Sequence, residues 1–142
     1  MNSKKIVRIF LFYITIILTG AIFYYSWLPN PSLNSEIYLP IWLRNWSNVY
    51  FNLRTAVPFV MLGFILEVRS GLNTHPTKNN WKYNILFATI IVSIAEAGQF
   101  FTNKRQPDIW DVFYGIAGAL TGRICYLIFI KLVKMLKYAE QT

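Results

Sequence analysis

Three carboxylates, Glu96, Asp108 and Asp111, are the side chains whose type and spacing could do chemistry. Arg105 lies among them in the sequence. A carboxylate in an apolar helix can act as a general acid or base, and two carboxylates can hold a divalent cation through oxygen ligands. A nearby arginine can keep them ionised or bind an anionic group. The same residues could instead form an ion-pair network that holds helices together, because polar groups in lipid need partners.

Helical spacing places these residues on shared faces. Glu96 and Gln99 are three residues apart, so they lie on one helix face. Asp108 and Asp111 begin a second polar face, and Asn48, Asn52 and Thr55 form a third. We expect these three polar faces to converge at one membrane level. The candidate catalytic residues are Glu96, Asp108 and Asp111, and the two aspartates are also weak candidates for a divalent-cation site, although no metal is expected. The candidate binding residues are Glu96, Gln99, Arg105, Asp108, Asp111, Asn52 and Arg54.

Small residues follow the second pair of acids on the same helical face. Gly115, Gly118 and Gly122 continue the spacing that begins at Asp108 and Asp111. Small residues four apart let two helices approach closely, and four spans need an internal seam. The glycines therefore predict helix packing within the chain, in preference to a homodimer.

The composition predicts a membrane protein. Of 142 residues, 55% are hydrophobic and only 14% are charged, against about a quarter charged in a typical soluble domain. The net charge of +8 comes from clusters between apolar runs, as expected for anchors on an anionic membrane face. No separate basic patch predicts nucleic-acid binding.

The sequence offers little basis for cysteine or histidine chemistry. Cys125 is the only cysteine and His75 the only histidine, so a disulfide within the chain is impossible. A zinc site of the Cys/His kind is set aside. We expect no cofactor, and a divalent cation would have to be held by carboxylates and amides.

The apolar runs predict an all-α bundle of four transmembrane helices in a single domain. A helix of roughly 20 apolar residues is long enough to cross a bilayer. Residues 29–50 predict an extracytoplasmic loop with a short interfacial segment, and residues 67–82 a cytoplasmic loop. The predicted spans are about 9–28, 51–66, 83–101 and 110–130.

The basic residues predict the orientation of the spans. Nine Lys and Arg residues flank one side of the four spans and three flank the other. Because cytoplasmic loops carry the excess of positive charge, both termini are predicted to be cytoplasmic. The loop at 102–110 is then extracytoplasmic. Arg123, about 18 Å along the helix from Asp111 at 1.5 Å per residue, is too distant to partner the acids.

The polar residues between Asn52 and Gly122 resemble the VanZ-like family of bacterial membrane proteins. The resemblance consists of Asn52 with Pro58-Phe59, then E-x-x-Q-F from Glu96, then R-x-x-D-x-x-D from Arg105, then the glycines. It implies a multi-span protein of the bacterial cytoplasmic membrane, from a family named for association with teicoplanin resistance. Gly115 stands where the family pattern usually has asparagine, and Arg54 stands where an apolar residue is expected.

Three functions are compatible with this sequence. The first is an accessory or binding protein that recognises a lipid-linked envelope component or a lipoglycopeptide in an outward-facing pocket ringed by Trp42, Trp46 and Phe100. The second is a membrane-embedded enzyme acting on a phosphorylated or glycosylated lipid. It lacks an activated nucleophile beside the acids. The third is a transporter, disfavoured because polar residues do not continue through the inner half of the third span.

Overall fold

All the regular secondary structure is helical in the part of the chain that the structure describes, a computed structural model covering residues 3–30, 32–72, 80–102 and 106–139. A single 3₁₀ turn, Leu33–Ser35, precedes the second α-helix. The predicted all-α fold is confirmed. The α-helices are α1 (Ser3–Ser26), α2 (Ile41–Val49), α3 (Phe51–Gly71), α4 (Asn80–Gln99) and α5 (Ile109–Ala139).

Three of these helices, α1, α3 and α5, are long and apolar enough to cross a membrane. Their outward surfaces carry large apolar side chains, including Phe10, Ile17 and Leu136, each more than half exposed. Such surfaces are costly in water and suit contact with lipid. α4 is long enough but less apolar, because it carries Asn84 and Glu96 in addition to the polar residues of its first turn.

The direction of the helices follows from contacts at their two ends. α3 and α5 run in the same direction, because Thr55 lies beside Asp111 at one end and the ring of Phe64 lies 6.2 Å from that of Tyr126 at the other. α4 runs in the opposite direction, since Asn84 in its second turn contacts the last turns of α3. The polar residues at the beginning of α3 and α5 therefore meet the end of α4.

α1 packs against α3 and α4 on one side of the bundle. The guanidinium of Arg69 lies 5.0 Å from the ring of Phe12. Trp27, just after α1, donates from Nε1 to the carbonyl of Ala95 at 3.0 Å. A Cβ atom at Gly98 would overlap the Trp27 indole, so this glycine makes room for the ring that holds the end of α1 against α4.

Glycines form the seam between α3 and α5, which make the most extensive contact in the bundle. A Cβ atom at Gly118 would overlap the carbonyl of Ala56, and one at Gly122 would overlap the carbonyl of Val60. Gly63 on α3 lies equally close to the backbone of α5. Backbone therefore contacts backbone, the geometry that small residues allow between membrane helices. These contacts are within one chain.

The helices extend beyond the predicted spans, and the prediction was wrong about Glu67. Residues 67–82 were predicted to be a loop, but α3 continues to Gly71 and α4 begins at Asn80. Glu67 is buried in α3 with 7% of its surface exposed. The helix can bury this acid because Arg123 and Asn84 surround its carboxylate, so the charge does not require water.

Candidate functional site

The beginning of α3 and α5 brings two of the predicted polar faces together. The Thr55 hydroxyl donates to Oδ1 of Asp111 at 3.0 Å. A second hydrogen bond joins the same two helices: Nδ2 of Asn52, three residues before Thr55, donates at 3.2 Å to the hydroxyl of Tyr114, three residues after Asp111. These bonds join residues that are more than fifty positions apart in the sequence.

The last turn of α4 supplies the third polar face. Nε2 of Gln99 donates to Oε1 of Glu96 at 2.9 Å and to the Ser26 hydroxyl at 3.2 Å. The Ser26 hydroxyl also donates to the carbonyl of Ala95 at 3.2 Å. Glu96 and Gln99 are both buried. The α1 residue Ser26 was not foreseen as part of the site, because nothing in its own sequence surroundings distinguishes it.

Arg54 connects the two groups electrostatically. Its guanidinium experiences a favourable interaction with the carboxylate of Asp111 and a smaller one with that of Glu96. It also lies 5.3 Å from the centre of the Phe51 ring. The positive charge of Arg54 is thus close enough to interact with acids on two other helices.

Asp108 has a local structural role. It lies immediately before α5, and its Oδ1 accepts a hydrogen bond from the backbone N–H of Trp110 at 2.9 Å. Its own backbone N–H donates to Oε2 of Glu96 at 3.2 Å. This is the geometry of a helix N-cap. The Asp108 carboxylate, a candidate for catalysis or cation binding, is therefore used to cap α5. Asp108 is also exposed.

Removing the cap should destabilise the protein without changing its binding properties. Replacing Asp108 by alanine is expected to lower the free energy of unfolding by about 1 kcal/mol, whereas Asp108→Ser and Asp108→Asn retain most of the stability because both can cap. Thermal unfolding in detergent measures the difference. If Asp108→Asn is as unstable as Asp108→Ala, the carboxylate has a role beyond capping.

A cavity of about 310 Å³ lies beside this polar network. Much of its wall is apolar, with residues such as Leu18, Ile22 and Phe59. Its polar end comprises side chains from α1, α3, α4 and α5, together with a serine from α2. These polar lining residues are Ser26, Ser47, Arg54, Thr55, Glu96, Gln99 and Asp111.

Pro58 shapes the wall that α3 contributes to the cavity. It lies inside the helix and lines the cavity. Proline has no N–H to donate to the carbonyl four residues earlier, which here belongs to Arg54, and its ring crowds that carbonyl. The carbonyl of Arg54 therefore lacks the usual backbone donor at position 58, beside the cavity.

The aromatic ring predicted around the pocket is only partly present. Trp46 lines the cavity. Trp42 and Phe100 are 70% and 76% exposed and do not line it, so this prediction was wrong for both. Trp42 lies one helical turn before Trp46, near the beginning of α2, and its ring does not line the cavity.

Arg105 lies outside the described residues, as do Asn103 and Lys104 in the same loop. The predicted binding role of Arg105 therefore stays a prediction. In the described part of the chain, no three His, Cys, Asp or Glu side chains are grouped closely enough to hold a metal ion.

A second polar network lies at the other end of the bundle and was missed by the sequence analysis. Glu67 lies 3.6 Å from Nη1 of Arg123 and accepts a hydrogen bond from Nδ2 of Asn84 at 3.1 Å. Asn84 also exchanges hydrogen bonds with Ser70. The guanidinium of Arg123 lies 4.3 Å from the centre of the Trp81 ring. Arg123 therefore pairs away from Glu96, Asp108 and Asp111, consistent with its predicted distance from Asp111.

Comparison of the chain with protein-family models, with curated proteins and with solved structures gave no match.

Proposed function

We propose that this protein binds a membrane amphiphile in the cavity at the end of the bundle that contains Arg54, Glu96 and Asp111. The observation that carries the proposal is the division of the cavity wall into a large apolar part and a polar end with both charge signs. Ligand sites are typically apolar with a few convergent polar groups that fix orientation. A hydrocarbon chain fits the first part, and a hydrogen-bonding head group fits the second.

We further propose that the helices form four spans, with α4 as the third, and that both termini are cytoplasmic. The basic residues near the start of α1, the end of α3, the start of α4 and the end of α5 support this orientation, because positive charge accumulates on the cytoplasmic side. The cavity would then lie at the outer face of the bacterial cytoplasmic membrane.

The proposed role is that of a VanZ-like accessory or binding protein acting on a lipid-linked envelope component or a lipoglycopeptide. Support for the family comes from the residues between Asn52 and Gly122 that carry the resemblance. Several of them, including Pro58, Glu96, Gln99 and Asp111, line the same cavity.

Arg54 provides the most direct test. The protein is purified in native-membrane nanodiscs, and bound lipids are quantified by mass spectrometry against the bulk membrane. We expect one amphiphile to be enriched in the wild type and its enrichment to fall about tenfold or more in Arg54→Ala, since a hydrogen bond to a charged group contributes about 1.5–3 kcal/mol. Arg69→Ala is the matched control, because it removes an arginine from the opposite end of α3.

The result can contradict the proposal in two ways. If no lipid is enriched in the wild type, the cavity does not select a membrane amphiphile. If Arg54→Ala and Arg69→Ala change the enrichment equally, Arg54 has no specific part in binding and its interactions with the acids are structural.

The alternative function is that of a membrane-embedded enzyme acting on the same class of lipid. It is favoured by one observation: the carboxylates of Glu96 and Asp111 both line the cavity, where they could serve as acid and base. Glu96→Gln and Asp111→Asn in the same preparations distinguish the two functions. If the protein is an enzyme, unreacted lipid accumulates in these variants relative to the wild type. If it is a binding protein, the wild type and both variants contain the same lipid without a reaction product.

A further inference from the structure

The short helix α2 forms one wall of the cavity. Leu43, Trp46 and Ser47 lie three and four residues apart, on one face of the helix, and all three line the cavity. Ile41 and Val49, on other faces, are each 68% exposed. α2 therefore presents a defined set of side chains to the cavity, and Ser47 is the polar member of that set.

The hydroxyl of Ser47 is buried without a hydrogen-bond partner in the described structure. Only 1% of the residue is exposed, and Oγ has no donor or acceptor within reach. Helical Thr15, Thr89 and Thr121 each donate to the carbonyl four residues earlier. The hydroxyl of Thr19 in α1 is buried without a partner as well, but Thr19 does not line the cavity. A buried polar atom without a partner is destabilising, and such atoms in native proteins call for an explanation.

Ser47 lies close in sequence to the charged end of the cavity. Tyr50 separates α2 from α3, and Arg54 follows in the first turns of α3. Both Ser47 and Arg54 line the cavity. Because less than 1 Å² of Oγ is accessible, the Ser47 side chain has to rotate toward the cavity before a head group bound near Arg54 can supply the hydrogen bond that it lacks.

The cavity is continuous with the membrane-facing surface of α3. Val57 and Met61 line it, yet they are 42% and 55% exposed. Its volume of about 310 Å³ is at the lower end of the range for ligand pockets. It can hold a head group and part of a hydrocarbon chain, and the rest of the chain can leave past Val57 and Met61 into the bilayer. A whole glycopeptide does not fit.

We propose that Ser47 is a head-group-binding residue of this cavity, and that the ligand is a lipid whose chain enters from the bilayer past Val57 and Met61. The inference rests on the proposed binding function and specifies its ligand. The Ser47 hydroxyl exchanges a hydrogen bond with the head group, while Arg54 and the neighbouring acids bind the charged or polar groups next to it.

Ser47→Ala tests the inference in the native-membrane nanodisc preparation described for Arg54. We expect the enriched lipid to fall about fivefold relative to the wild type, the effect of one neutral hydrogen bond. Ser93→Ala is the matched control, since it removes a hydroxyl from an exposed position of α4. Ser47→Cys, a weaker donor of similar size, should give a smaller loss than Ser47→Ala.

Thermal unfolding after exhaustive delipidation shows whether the variants fold. Ser47→Ala should be as stable as the delipidated wild type or more stable, because it removes an unpaired buried hydroxyl. A lower stability in the delipidated state would mean that the hydroxyl has a partner within the protein, and would overturn the inference.

The remaining outcomes separate this inference from the proposed function. If the wild type enriches a lipid and Ser47→Ala enriches it equally, Ser47 is not a ligand-binding residue and a water molecule satisfies its hydroxyl. The binding function would then stand. If the wild type enriches no lipid, the binding function and the inference both fail.

Discussion

Replacing Gly122 by alanine is expected to lower the free energy of unfolding by about 2 kcal/mol, the typical cost of overfilling a packed interior. The added Cβ atom would overlap the carbonyl of Val60 and lie 2.7 Å from the backbone nitrogen of Phe64. Both contacts are with backbone, so a change of side-chain rotamer cannot relieve them. α5 must move away from α3, and the contacts along the whole seam weaken.

The same substitution at Gly20 provides a matched control. A Cβ atom there has nothing within 4 Å. Since alanine is favoured over glycine by about 1 kcal/mol inside a helix, Gly20→Ala should be neutral or stabilising. The two variants thus share one chemical change with opposite expected signs. Unfolding by denaturing detergent, followed by tryptophan fluorescence, measures the difference.

The oligomeric state of Gly122→Ala distinguishes packing within the chain from packing between chains. If these glycines served a homodimer, the substitution would dissociate it, as seen by size-exclusion chromatography with light scattering, while the stability of the monomer would change little. Equal stability of Gly122→Ala and Gly20→Ala would contradict the close contact between α3 and α5.

Local patterns in the sequence predict much of this fold. Long apolar runs predicted helices, and helices are found at each of the four predicted spans. The spacing of Glu96 and Gln99 predicted a shared face, and their side chains are hydrogen-bonded to each other. These features depend on helical geometry alone, so residues close together in the sequence are sufficient to reveal them.

Features that depend on distant partners were not predictable in the same way. Glu67 was placed in a loop because an acid normally ends an apolar span, but its partner Arg123 is 56 positions away. Asp108 has the sequence context of a site acid and also that of a helix cap, and only the hydrogen bond to Trp110 shows the capping geometry. Ser47 is an ordinary helical serine until the cavity beside it is known.

Replacing Glu67 by alanine is expected to lower the free energy of unfolding by about 3 kcal/mol, because breaking a buried ion pair leaves the remaining charge without compensation. Arg123 would lose its anionic partner, and Asn84 would lose an acceptor. Arg123→Ala should have a comparable effect, since the carboxylate of Glu67 would stay buried beside a single amide donor. Lys131→Ala, which removes an exposed cation from the same helix, should have little effect.

The double variant Glu67→Ala/Arg123→Ala determines how much of each loss comes from the pair. Removing both charges leaves neither uncompensated, so the double variant should be more stable than the sum of the single losses predicts, by about 1–3 kcal/mol. Strict additivity would show that the 3.6 Å pair contributes no net stability.

Lipid enrichment in the folded fraction provides the second readout. It should equal that of the wild type, because Glu67 and Arg123 do not line the cavity; a selective loss of lipid would instead couple this network to the binding end of the bundle.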